Sequence, residues 1–472
     1  MKRLTMLACL SLAAPLAAQP PAPATQNESA FHAELRREGE RLKEACSGLN
    51  LKQLGGCAVA LATDHPLHVS FGTLAPQNGV GFGPALVMHH TPNENWRLNW
   101  SADFAGAFSG GWRTGAYLKI VRTAVEAPVL SGGGTAGSTV AIHPYPVIDA
   151  YAQTISLPKL TYFGIGPETS RAGKSFYGMR ETIVGSTVIY PIPGGENFQR
   201  LNLSVLGEIN GRLVDIRPSH ESGAPSIEEL YSETTAPGLT NQPGFTQFAE
   251  GIRIRPALAA GRLQLNYVTK LQQFVASDSG SSFRRWTLDL GHELPLYRNS
   301  SRPGARDTNN PNDCSLDVTA RECPAVSRNR TGAINVRLLV TRSGVSDADV
   351  VPFYFQPTLG GSDINGSRAL ASFDDYRFRG PHVLLFQESF EHSLGDWPVG
   401  VWIASDQGRV SLQDDMGEAG TFRKSIGAGL TLRAGGFPVV TFSWATGGSE
   451  GHHVAITINS SLLGGSARPS LY

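Results

Sequence analysis

After the first eighteen positions the sequence has no apolar run of about eighteen residues, so no transmembrane helix is expected beyond its start. Charge is scarce, at 17% of residues against 41% hydrophobic. Lys+Arg and Asp+Glu are both 40, and the zero net charge offers a nucleic acid no basic surface. Cysteine is scarce too. Cys9 sits inside an apolar leader, and the other four form two sequence-local pairs, Cys46 with Cys57 and Cys314 with Cys323. In an oxidising compartment, pairs so spaced read as two local disulfides. A metal site using all four thiolates would need closer Cys-x-x-Cys spacing, so neither metal nor cofactor is expected.

The chain opens with a basic start, Lys2 and Arg3, an apolar stretch from Leu4 to Ala14, and small residues at Ala17-Ala18. That pattern is a secretory signal peptide over 1–18, too short to span a membrane. A linker and helix follow over 19–58, with a narrow stripe of Phe31, Leu35, Leu42 and Cys46 on an otherwise charged helix near 30–47. So narrow a stripe suits a helix on a polar surface or in a water-filled lumen.

The periodicity then changes to two over 59–472. Trp96, Leu98, Trp100, Ala102 and Phe104 alternate with Arg97, Asn99, Ser101, Asp103 and Ala105. The pattern returns around 201–205, 262–267, 334–341 and 454–459. Alternate residues of a strand face opposite ways, so each strand has an apolar and a polar face. The runs are long enough to cross a bilayer, which takes about 9–11 strand residues, and no helices are available to cover them. The expected fold is all-β: a 16-stranded antiparallel transmembrane β-barrel in the bacterial outer membrane. Its strands fall near 65–76, 80–91, 96–109, 111–123, 147–166, 175–193, 200–217, 245–258, 262–277, 282–297, 332–345, 382–394, 397–411, 422–435, 437–447 and 452–463. Trp96, Trp100, Trp112, Tyr151, Tyr162 and Trp444 are expected in aromatic girdles at the membrane interfaces. Long connections are expected at 124–146, 218–244, 298–331 and 346–381.

The last of these carries a motif. Gly360-Gly361 is followed by Arg368-Ala-Leu-Ala-Ser-Phe373 and then by Asp375-Tyr376-Arg377-Phe378-Arg379-Gly380. Eleven expected strands precede the segment and five follow it. One of the five contains Ile403-Ala-Ser-Asp406-Gln-Gly408. Together these features resemble the BamA/TamA family of outer-membrane barrels, the bacterial surface-antigen superfamily. There a double glycine precedes a Leu/Val-Arg-Gly-Tyr/Phe motif in a loop folded back into the lumen, and a later strand carries Phe-x-Asp-x-Gly. The resemblance implies a lumen-directed loop before the last five strands, with its motif at Gly360, Gly361, Phe373, Tyr376, Arg377, Phe378 and Arg379. It implies a barrel-wall motif at Asp406 and Gly408. Parity places Asp406 inward, opposite to Val401 and Ile403. The chain departs from the family at the motif itself: Ala371 stands for the arginine and Ser372 for the glycine, so Arg377 or Arg379 either substitutes as the partner of Asp406 or is simply a lumen or loop charge. Gln387-Glu388-Ser389 stands where one inward glutamate is expected. Between Ala18 and His65 there is no room for a POTRA domain.

The resemblance implies protein or lipid assembly or translocation in the outer membrane at the barrel seam, without covalent chemistry. The implied partners are outer-membrane lipids, client outer-membrane proteins, and a separate periplasmic partner in place of POTRA domains. The alternative is a passive pore or structural barrel. An enzyme is not expected. Gly447-Gly-Ser449-Glu-Gly451 matches a nucleophile elbow in letters, but a strand rather than a helix follows it. His89-His90 and His452-His453 lie on the first and last parts of the strand order, where closure would bring them near each other.

Overall fold

The computed structural model describes residues 66–93, 96–122, 146–192, 201–258, 262–278, 280–296, 332–345, 349–395, 399–413, 422–434, 437–447 and 451–458. Of two compact units, Met1–Ala60 and Leu61–Tyr472, the second holds all of them. The leader, the helix near 30–47, all the cysteines and nearly all of 124–146 and 298–331 lie outside the described residues.

Sixteen long strands form one antiparallel meander. They are β1 (Leu67–Thr73), β2 (Val80–Asn93), β3 (Trp96–Ala107), β4 (Trp112–Arg122), β5 (Val147–Tyr162), β6 (Ser175–Pro191), β7 (Leu203–Pro218) and β8 (Phe245–Ile254). The second half is β9 (Leu263–Ala276), β10 (Phe283–Pro295), β11 (Gly332–Val345), β12 (His382–Ser393), β13 (Val399–Ser411), β14 (Arg423–Ala434), β15 (Phe437–Thr446) and β16 (His452–Ile458). Each strand pairs with the next in sequence, from β1 with β2 through β15 with β16. The expected architecture is therefore present. Two strands stop short of their expected ends. The fifth ends at Tyr162, ahead of the turn glycines Gly164 and Gly166 at φ 95° and 99°. The eighth ends at Ile254, and only Ala257–Leu258 resumes pairing beyond Pro256, which has no N–H for a ladder.

The apolar faces point outward. Val184, Ile209, Leu213, Ile403, Leu430 and Ile456 are among the large side chains left exposed on the outside of the wall. Such a band would not stay in water, and it is the face a bilayer covers. Polar residues of the other parity are buried on the inside, among them Asp103 with Arg113 (3.0 Å) and Glu181 with Arg212 (3.2 Å). Two expected girdle residues belong to this inner face. Tyr151 and Tyr162 are buried, and their hydroxyls donate to Glu208 (2.9 Å) and to the Thr235 carbonyl (2.6 Å). Tyr151 shares its face with buried Asp149 and Gln153, and a register shift between Leu157 and Leu160 brings Tyr162, of the opposite parity, to that same face.

Connections after odd-numbered strands gather at one mouth, where the segments between β7 and β8 and between β11 and β12 pack together. The first holds a short α-helix, α1 (Ile227–Leu230), started by a capping box of Ser226 and Glu229. The main apolar cluster of the molecule lies where this cap meets the wall, around Phe353, Tyr354 and Phe355. Phe355 lies 4.9 Å from Phe245 and 5.3 Å from Phe274, and Phe353 stands edge-on to Tyr162 and Tyr177. The two histidine pairs do not converge. His89 sits on β2 beside Asn99, far along the strand from the β1–β2 turn, whereas His452 opens β16 at the capped mouth and stacks on Trp444.

Candidate functional site

The segment 349–381 is a folded element, and its sequence shows why. Gly360 and Gly361 take φ of 108° and 59°, a left-handed turn that glycine adopts without strain. Space also demands glycine there. A Cβ at Gly360 would stand 2.6 Å from that of Arg377, and one at Gly361 2.8 Å from the Asp375 Cα. The turn lets Thr358–Leu359 pair with Phe378–Arg379, and the Tyr376 N–H closes onto the Gly360 carbonyl at 3.1 Å. Leu359, Leu370, Phe373 and Phe378 pack with Val383, Leu385 and Val410 of the wall.

Gly408 makes room for this contact, because a Cβ there would meet the Leu359 side chain at 3.0 Å. Asp406 is buried and touches the loop directly. Its Oδ2 accepts the Leu370 N–H at 2.9 Å, and its Oδ1 accepts from Gln387 Nε2 at 3.1 Å. Gln387 stands opposite Asp406 in the β12–β13 ladder and also donates to the Arg368 carbonyl at 2.9 Å. Leu370 itself has a positive φ of 53°, so the carboxylate holds a strained peptide.

The arginines bond elsewhere than to Asp406. Arg377 donates to Thr169 Oγ1 at 2.6 Å and to the Thr169 carbonyl, and its guanidinium lies over Phe163 and Phe378. Arg379 donates to the Phe353 carbonyl at 2.6 Å and to the Tyr177 hydroxyl at 3.4 Å. Both are fully buried, with carbonyl dipoles and ring faces around their charge. The exchange of partner has a simple cause. With Ala371 in the arginine's place, a backbone N–H near the loop tip reaches the carboxylate, and the later arginines tie the loop stem to the β5–β6 turn and the cap.

Exposed Arg171 adds a bidentate pair with Asp374, both bonds 2.9 Å, which holds the Asp374 carboxyl below its usual range despite partial burial. Burial pushes Asp363 up to about 6, although the N–H groups of Asn365 and Ser367 oppose the shift. Asp375 is raised by burial as well.

Among the described residues no ladder joins β1 to β16, and the two strands meet through one hydrogen bond, from the Ile458 N–H to Thr73 Oγ1 at 3.2 Å. The chain has the fold of the Escherichia coli CdiB barrel. The match to CdiB from Escherichia coli has a TM-score of 0.50 at 12% identity, over 84% of this chain and 62% of that one. CdiB from Acinetobacter baumannii gives 0.46 at 10%, over 83% of this chain and 58% of that one. BamA from Haemophilus ducreyi lacking POTRA domains 1-3 gives 0.46 at 8%, over 83% and 69%. This chain thus spans 58% and 62% of the length of the two CdiB chains. No protein-family model and no curated protein matches the sequence.

Within this fold the lumen loop touches both sides of the seam. Arg368 Nη2 donates to Thr457 Oγ1 of β16 at 2.7 Å, with the guanidinium over the Trp402 ring. On the other side the Tyr376 hydroxyl donates to the Pro76 carbonyl in the β1–β2 turn at 3.3 Å. Gln77 reaches the same loop through Thr161, whose hydroxyl donates to the Asp375 carbonyl at 2.9 Å. Sequence reading left out Arg368, Thr169 and Gln77, because no spacing along the chain signals contacts made across eighty or more residues. Gly447 of the elbow-like string accepts a bond from Ser372 Oγ at 3.3 Å, and β16 follows directly; Ser449 lies outside the described residues.

Proposed function

We propose that the chain is an outer-membrane barrel that handles outer-membrane proteins or lipids at the β1–β16 seam, without covalent chemistry. The observation that carries this reading is the ladder itself: fifteen antiparallel pairings in sequence order and, among the described residues, one side-chain bond in place of a sixteenth. An unpaired edge of N–H and C=O groups is a template for another strand. A barrel that holds two such edges side by side in a bilayer offers a client strand or a lipid a way in. The outward apolar band supports placement in the outer membrane. The loop contacts at Thr457 and Pro76 support a seam held from inside rather than fused.

The test is a reversible lock. Thr73→Cys with Ile458→Cys places a disulfide across the seam of the full chain in proteoliposomes. Insertion of a urea-denatured eight-stranded barrel is then followed by its protease-resistant band. Acceleration by the reduced double variant, loss on oxidation and recovery on reduction are expected, with the parent chain carried through the same redox steps. Equal insertion by locked and unlocked protein would overturn the reading. The passive-pore alternative requires an open lumen, and the packed cap at one mouth opposes it.

A further inference from the structure

Behind the seam lies a cavity of about 620 Å³, bounded by the end of β1, the start of β2, the tip of the lumen loop and β16. That size falls within the range of roughly 300–1,000 Å³ common to small-molecule sites. Its lining divides in two. Toward the strand edges it is apolar, with Leu74, Val80 and Ile456; toward the lumen it carries Arg368, Asp375 and Glu391. Val80 and Ile456 also belong to the exposed apolar outer face, so the apolar end leads toward the bilayer.

Arg368 is the group with unmet capacity. A guanidinium has five N–H donors in a planar fork. One hydrogen bond of its side chain is present, to Thr457, and its plane rests on Trp402. A largely buried cation calls for an acceptor that fits a fork, and phosphate does. The carboxylates of Asp375, Asp406 and Glu391 all attract the same arginine, and Asp375 and Glu391 line the cavity with it. Asp375 already takes the Ser362 N–H, and Glu391 is 3.9 Å from Arg433. A purely anionic guest would therefore meet two like charges, and a purely cationic one would meet Arg368. A guest with both charges meets neither conflict.

We propose that this cavity binds a phospholipid with a zwitterionic amine headgroup, its phosphate on Arg368 and its ammonium toward Asp375 and Glu391. The acyl chains leave past Val80 and Ile456 between β1 and β16. The proposal rests on the reading of the seam as the opening to the bilayer, and it names which lipid that opening retains.

The experiment is native mass spectrometry of the full chain, released from detergent micelles containing equal phosphatidylethanolamine and phosphatidylglycerol. Retained phosphatidylethanolamine is expected to exceed phosphatidylglycerol by about tenfold, the factor of one charge-assisted contact. Glu391→Gln should reduce the preference, because both lipids carry a phosphate and only the ammonium contact separates them. Ala455→Trp, which fills the cavity and leaves Arg368 in place, should remove the retained lipid. Soluble phosphoethanolamine should fail to displace it, since the acyl chains contribute to binding. Equal retention of both lipids, retention unchanged in both variants, or displacement by the soluble headgroup would overturn the proposal. The assay involves no client. Redox-sensitive client insertion in vesicles of phosphatidylglycerol alone, together with equal lipid retention here, would sink this inference and leave the seam reading standing.

Discussion

Removal of the Asp406 carboxylate should release the lumen loop. In Asp406→Ala the Leu370 N–H keeps its burial and loses its acceptor, at a cost of about 1–3 kcal/mol. Leu370 also sits at φ 53°, a conformation that costs about 1–2 kcal/mol more than the ordinary one, and the same bond holds it there. Gln387 loses one acceptor but keeps the Arg368 carbonyl. The strain is common to parent and variant, so the docked loop should lose about 1–3 kcal/mol relative to an opened one, the cost of the unmet N–H. At about 1.4 kcal/mol per factor of ten, the open population rises by roughly five- to 150-fold. Trypsin reads this directly, because Arg368 and Arg377 become sites only when the loop opens, and cleavage then tracks the open fraction. Folded protein in detergent, verified by heat-modifiable migration, should be cut within 362–380 at least about five times faster than the parent. Asp406→Asn, which keeps one acceptor oxygen, should fall between the two. A cleavage rate in Asp406→Ala within about twofold of the parent would refute the assignment of Asp406 as the anchor of the loop.

Three further outcomes follow from the same geometry. Phe355→Ala removes the ring that joins Phe245, Phe274 and Phe283, and should cost the cap about 3–5 kcal/mol, seen as a lower midpoint for loss of near-ultraviolet circular dichroism; an unchanged midpoint would show that the cluster does not hold the cap. Asp363 has its folded pKa raised from 3.8 to about 6, so the docked loop binds more protons than the opened one between those values, and docking weakens as pH rises from about 4 through 6. Asp363→Asn should remove about 1–1.5 kcal/mol of that dependence between pH 5 and pH 7, read as tryptic cleavage at the two values; the same pH slope in parent and variant would contradict the burial argument. Planar-bilayer recordings should show small conductance for the parent and a larger one for a chain with residues 362–380 deleted, and large steady conductance in the parent would favour the passive pore.

The sequence by itself determined the wall. A period of two over strands long enough to cross a bilayer leaves an apolar face that only lipid can cover, and the count of sixteen follows from the turns between runs. Gly360-Gly361 and Asp406 were legible through a resemblance of motif, to which strand parity added that the carboxylate faces inward. Tyr151 and Tyr162 lie inside rather than in the girdle, Tyr151 beside buried Asp149 and Gln153 and Tyr162 beyond the register shift after Leu157. What the tertiary structure alone decided was pairing over long separations. Asp406 takes a backbone N–H of the loop rather than an arginine, Arg377 lies on Thr169, and Arg368 crosses to Thr457. The open seam belongs to the same class. Hydrogen bonds between the first strand and the last depend on how sixteen strands tilt and close, a global condition that no window of sequence contains.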